Sequence, residues 1–301
     1  MKALVSGASG MIGAALCDAL MARGDTVVGL TRDPQRARRT NPGVTWHAWE
    51  PTLERPPAEA FEDVDGVINL LGEKINQRWT DDAKRRIVES RRTGTRNLVA
   101  AIAGLQRRPR VLVNQAAIGF YGDRGEAIVD ESAERGEGFD AEVVGKWEAA
   151  AREVEASGVR LVIVRTGHVL DAGGGLLAEL LTPFKLGVGG PLAGGRQYMS
   201  WIHIDDEVGI LLWALDNAKV SGVVNATAPN PVTNREFSQA LGRALHRPAA
   251  VPVPGFVLDL KFGSEFGRVL RGGQRVVPRR PLDLGYEFRF ADIDEALRNL
   301  V

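Results

Sequence analysis

The chain of 301 residues has a single cysteine and no excess charge of either sign, with 38 basic against 38 acidic side chains. Cys17 cannot form an internal disulfide, and its place in an apolar helical pattern reads as a small buried core residue. A reducing, cytoplasmic compartment fits that usage. Charge balance excludes a chain built mainly to hold nucleic acid electrostatically. No run approaches the ~20 apolar residues of a spanning helix, so no membrane association is expected. The apolar start, Met1 to Gly13, is broken by Gly7, Gly10 and Gly13 and lacks a basic segment before a long apolar one, so no leader is expected. Fixed-period repeats and long low-complexity tracts are also missing. His203 with Asp205 and Asp206 matches no strong ligand spacing, and no metal is expected. What the chain does have is 44% hydrophobic and 25% charged residues, ordinary for a globular protein, and 35 glycines.

Short apolar runs alternate with longer helical patterns over the first 170 residues. Strands are expected at Lys2–Ser6, Thr26–Leu30, Val44–Trp49, Val67–Leu71, Val111–Ala117 and Val159–Val164. Helices are expected at Met11–Arg23, Thr80–Gly104 and Phe139–Ser157. Near-continuous apolar strands between helices imply a parallel sheet covered on both faces, an α/β Rossmann-type doubly wound domain. After Leu170 glycines and prolines multiply, and a smaller α/β substrate lobe is expected. The division reads as a binding domain over 1–170, with 201–228 returning to it, and a lobe over 171–200 and 229–301.

Gly7-Ala8-Ser9-Gly10-Met11-Ile12-Gly13 follows a strand pattern and opens a helix pattern. Gly7 permits the tight turn, Gly10 lets backbone approach a pyrophosphate, and Gly13 lets the helix pack on the sheet. The helix start then offers free N–H groups and a positive dipole end. No Lys-Ser/Thr pair follows Gly13, which points to a dinucleotide rather than a nucleoside triphosphate. The second strand ends in Thr31 and Arg32 where an NAD site would place an acid. A neutral residue beside a guanidinium suits a 2′-phosphate, hence NADP(H). Asp33 keeps NAD(H) open as the lesser alternative.

These residues resemble the extended and atypical short-chain dehydrogenase/reductase superfamily, in particular its epimerase-like subfamily with a C-terminal domain of unknown function. The similarity runs through Val67–Glu73, Arg78-Trp79-Thr80, Ser90-Arg91, Gly119-Phe120-Tyr121-Gly122, Trp147-Glu148, Gly189–Leu192 and Ser200–Asp205. It implies that Leu70, Leu71 and Gly72 line the cofactor ribose. It implies that the strand ending at Ala116-Ala117 faces the nicotinamide and that Arg165-Thr166-Gly167 stand beside its carboxamide. Pairing through the long helices, as a homodimer, is also implied.

The superfamily's chemistry rests on Tyr-x-x-x-Lys with a Ser and an Asn. Tyr exchanges a proton at a carbinol oxygen, and Lys lowers its pKa and holds the nicotinamide ribose. Here Lys146 follows Glu142 by four residues, and alignment on Glu148 leaves Val144 at the Tyr position. The Ser falls at Ala116 or Ala117 and the Asn at Arg91. Three readings stay open: a phenol from Tyr121 acting with Lys146, an acid/base at Glu142 or His203, or binding with little turnover. On the substrate side, Arg78 and Trp79 read as one lip of a cleft. Arg196, Gln197, Tyr198 and Trp201, beside the glycines of 187–195, read as the other, offering donors and stacking faces to an anionic or nucleotide-linked ligand. The tail, with Arg268, Arg271, Arg275, Arg279 and Arg280, reads as a solvated or interface surface, with no nucleic-acid partner expected. The expected function is an NADP(H)-binding epimerase- or oxidoreductase-like protein acting on a polar small molecule. The alternative is a catalytically weak or inactive NADP(H)-dependent sensor.

Overall fold

A computed structural model describes residues 1–301. Seven parallel strands form the central sheet: β1 Lys2–Ser6, β2 Thr26–Thr31, β3 Thr45–Ala48, β4 Gly66–Asn69, β5 Val111–Ala117, β6 Arg160–Thr166 and β7 Gly222–Ala226. Their order is β7-β6-β5-β4-β1-β2-β3, so the winding reverses between β1 and β4. Ligands in such sheets sit over the carboxyl ends of the strands at that reversal. The fold is therefore the doubly wound α/β one read from the alternation of runs.

Helices cover both faces. Leu16, Cys17 and Leu20 of α1 (Met11–Ala22) and Ala37 of α2 (Pro34–Thr40) are buried on one face. On the other lie Leu98 and Ile102 of α3 (Asp81–Gly104) and Val144 and Ala151 of α4 (Phe139–Arg152). The side chain of Thr80 accepts from the Ala83 amide at 3.2 Å and Asp81 and Asp82 follow, so the long α3 starts capped and favourably charged.

The second lobe gathers α5 (Gly175–Lys185), α7 (Asn234–Ala244) and α11 (Ile293–Leu300) around its own apolar core, which includes Phe184, Trp201, Phe237 and Leu297. Helix α6 (Ile204–Asp216) lies on the α1 face of the sheet. A hairpin of α8 (Gly255–Phe262) and α9 (Ser264–Arg271) packs Phe266 on Trp79 at a centroid distance of 5.0 Å. Helix α10 (Arg279–Asp283) follows, its Arg280 amide donating to Glu131 at 3.2 Å.

Candidate functional site

The glycine loop sits at the carboxyl end of β1. Gly7 has φ +68°, and a Cβ there would stand 2.7 Å from the Leu70 carbonyl oxygen, so only glycine lets the turn close against the end of β4. A Cβ on Gly13 would stand 2.7 Å from the Cα of Ala8 and push α1 off the strand. Ser9 and Gly10 are exposed, Met11 and Ile12 half-buried, and no side chain caps α1. The first amides of α1 are left for a ligand. A Cβ on Gly174 would come 2.8 Å from the Met11 sulfur, so the turn before α5 lies against the same loop.

At the end of β2, Thr31 is half-buried and accepts from the Asp33 amide at 3.3 Å. Asp33 is the N-cap of α2 and accepts from the Arg36 amide at 3.0 Å. Its carboxylate is committed to that helix, while Arg32 is exposed. Arg36, Arg38 and Arg39 lie on the exposed face of α2.

Beneath the crevice runs a closed polar network. Ser6 donates to the Asn69 side-chain oxygen at 2.5 Å, and the Asn69 amide donates to Thr95 at 3.0 Å and to Asn114 at 2.6 Å. Trp147 donates to the same Thr95 hydroxyl at 3.1 Å. These bonds tie β1, β4 and β5 to α3 and α4. Strand β4 stops at Asn69, short of the expected Leu71; Leu70 turns its carbonyl toward Gly7 and Leu71 packs over Gly94 of α3. Gly72, beyond them, is exposed and lies against Arg91.

The residues expected to carry chemistry are placed otherwise. Tyr121 is fully buried; its hydroxyl donates to Asn225 at 2.7 Å and accepts from Arg165 at 3.0 Å. Burial pushes the phenol up to about 12 despite the adjacent guanidinium. Arg165 is also buried and grips Glu148 in a two-bond fork at 2.7 and 2.9 Å, stacked over Phe120. Its guanidinium is thus turned toward α4 and committed to Glu148 and Tyr121. On the alignment that puts Glu148 at the superfamily's Lys, that position is closed as an ion pair with Arg165. Lys146 is on the surface of α4, paired with Glu142, whose carboxyl that pairing holds below its ordinary range. Ala116 is buried against the α4 side, and Ala117, one residue on, is half-buried at the strand end. Gly167 leads from β6 into a short strand, His168–Leu170, which pairs with Trp201–His203.

Two carboxyl groups were not read from the sequence. Asp140 lies on the α4 stripe that continues through Val144 and Glu148, one turn before Val144. It is 7% exposed, with one oxygen turned toward Gly138 and the other toward Gly119, just past β5. Burial raises its pKa against the pull of the first amides of α4. The i, i+4, i+8 spacing could have shown it. Glu207, in the first turn of α6, is completely buried; one oxygen accepts from Thr166 at 2.8 Å and the other has no partner. Burial pushes it up to about 8. No local pattern announces it.

The substrate lips are corrected in part. Trp201 is no stacking face: it is fully buried and donates to the Asn230 carbonyl at 3.1 Å. Gln197 donates inward, to the Leu192 and Leu270 carbonyls at 3.1 and 3.3 Å. Trp79 is core, stacked edge-on with Phe139 at 4.8 Å. Large aromatics bury wherever a lobe offers room, and glycine-rich flanks do not prevent it. Arg78 is exposed and donates to the Leu260 carbonyl at 2.7 Å, and Arg196 is exposed. His203, not Asp205, caps α6, accepting from the Asp205 amide at 3.0 Å, and its ring stacks on Phe290. It is 1% exposed and offers no surface acid/base.

The family model described as NAD dependent epimerase/dehydratase family matches residues 3–226, and a domain of unknown function, DUF1731, matches 253–300. Human epimerase family protein SDR39U1 is 38% identical over 305 residues, covering 100% of both chains. Epimerase family protein YfhF of Bacillus subtilis is 33% identical, covering 100% of this chain and 98% of its own. A crystal structure of the human protein with NADPH superposes with TM-score 0.91, covering 100% of this chain and 99% of that one. A glycine loop at the β1–β4 reversal, a matching family model over three quarters of the sequence and full-length relatives at these identities agree: the chain belongs to the NAD dependent epimerase/dehydratase family.

Proposed function

We propose that this chain is an NADP(H)-dependent enzyme of the epimerase/dehydratase kind, acting on a polar, nucleotide-linked small molecule, with Asp140 carrying the proton. The cofactor reading is supported by the human relative crystallised with NADPH and by the division of labour at the end of β2, where Asp33 caps a helix and Arg32 is left to a 2′-phosphate. The observation that carries the chemistry is the Asp140 carboxyl, nearly buried, raised in pKa and set on the inward stripe of α4 facing Gly119 just past β5. A carboxyl lifted toward the working pH is suited to exchange a proton. Purified protein with NADPH, mixed with nucleotide-linked metabolites, is followed by reduced-nicotinamide absorbance and by product analysis. Asp140→Asn is expected to lower turnover by at least about a hundredfold, and Lys146→Ala to leave it unchanged. The reverse pattern would falsify the assignment.

A second reading, a cofactor-dependent sensor, has its own observation: the Tyr121 hydroxyl is sealed against Asn225 and Arg165 and Lys146 is paired with Glu142 on the surface, so neither is free for the superfamily's relay. Unchanged absorbance and unchanged metabolites across the same set support it.

A further inference from the structure

Arg91 lies on the inward stripe of α3, between Ile87 and Thr95, both fully buried. An arginine on such a stripe normally meets a carboxylate. This one does not. Its one hydrogen bond within the protein goes to the Ile87 carbonyl of its own helix, at 3.3 Å. Glu73 acts on it only through space, and burial pushes the guanidinium down to about 10. The group is held in place by stacking over Trp147, 5.0 Å from the ring centroid, and Trp147 is itself fixed by its bond to Thr95. One amino group stands 2.9 Å from where a Gly72 Cβ would be, so glycine keeps the way open between the guanidinium and the crevice. A guanidinium carries five N–H donors, and most of these are without a protein acceptor.

The topology says what passes there. The glycine loop seats a pyrophosphate over β1, and Thr31 and Arg32 at the end of β2 receive the adenosine half. The other half must run the opposite way, over β4 and then β5. Neighbouring strands are about 4.8 Å apart, so the group that follows the pyrophosphate by one strand is the second ribose. Gly72 and Arg91 stand at that strand.

We infer that Arg91 is a cofactor-binding residue, its guanidinium donating to the ribose hydroxyls on the nicotinamide half of the dinucleotide. This rests on the NADP(H) reading above. Arg165 does not compete for that role, being locked in its buried pair with Glu148.

The test is calorimetric titration of the full chain and of Arg91→Ala with two ligands, NADPH and 2′-phosphoadenosine 5′-diphosphate. The fragment keeps the adenosine half and both bridging phosphates and lacks the second ribose. Arg91→Ala is expected to weaken NADPH by at least about tenfold, the scale of a charged hydrogen bond, and to leave the fragment within about twofold. Equal loss for both ligands, or no loss for either, overturns the inference. Thermal melting checks folding; if Arg91→Ala does not fold, Arg91→Lys, which keeps charge and loses the fork, is read by the same two titrations. An unaltered chain that binds neither ligand sinks the cofactor reading itself. One that binds both, with Arg91→Ala weakening both equally, sinks only this inference.

Discussion

Glu207 shows what a single buried carboxyl does to a whole-chain property. Its pKa in the folded chain is about 8, against 4.5 for the free side chain. Between those values the folded chain keeps a proton that the unfolded chain has lost, so stability falls as pH rises through this window and levels off above it. Glu207→Gln keeps the acceptor for Thr166 and removes the titration. Its melting midpoint is expected to match the parent near pH 5 and to exceed it by on the order of 5 °C near pH 8. A parallel pH dependence in both chains would refute the sealed-carboxyl account. Residues of this kind were illegible in the sequence because Gln115, Thr166 and Glu207 meet only through the sheet. The partner of Tyr121 was hidden for the same reason, since Asn225 is 104 positions away. The glycine loop was legible because its demands are local: a left-handed turn and a close approach within seven residues.

At the scale of elements, the turn from β2 into α2 separates two jobs that adjacent residues perform. Asp33→Ala is expected to cost about 1 kcal/mol of stability, the usual worth of an N-cap, and to leave NADPH affinity unchanged. Arg32→Asp is expected to weaken NADPH by at least about tenfold more than NADH and to leave stability unchanged. Urea unfolding and paired titrations read both, and equal loss of NADPH and NADH on Arg32→Asp would remove the 2′-phosphate assignment. The major elements were readable from apolar runs and helical spacing because a parallel sheet buried on both faces makes its strands almost wholly apolar. The short α2 was not placed as an element, since seven residues rich in arginine carry little apolar period. The aromatic residues near the second glycine cluster misled for a related reason. Trp201 looks like a binding face in the linear chain and becomes the centre of a lobe core once α5, α7 and α11 surround it.

Across the whole molecule, the last segment fastens the two lobes. The Asp206 carboxylate accepts from the Arg289 and Phe290 amides at 2.8 and 2.9 Å, while Ile293, Ala296 and Leu297 of α11 fill the second core. Asp206→Ala strands two amides and is expected to destabilise the chain by about 1–3 kcal/mol. Limited proteolysis should then release the tail beyond 286 faster than in the parent. Unchanged urea midpoint and cleavage would show that α11 holds by packing alone.

The Glu148–Arg165 pair also bears on which substitutions the core admits one at a time. Glu148→Lys alone sets two cations face to face in the buried ground now held by a carboxylate and a guanidinium, each 3–4% exposed, a step that buried charge makes costly. Arg165→Leu alone leaves Glu148 unpaired and strips the Tyr121 hydroxyl of a donor. Either single substitution leaves a buried charge without its partner, so the residues at 148 and 165 can change only together.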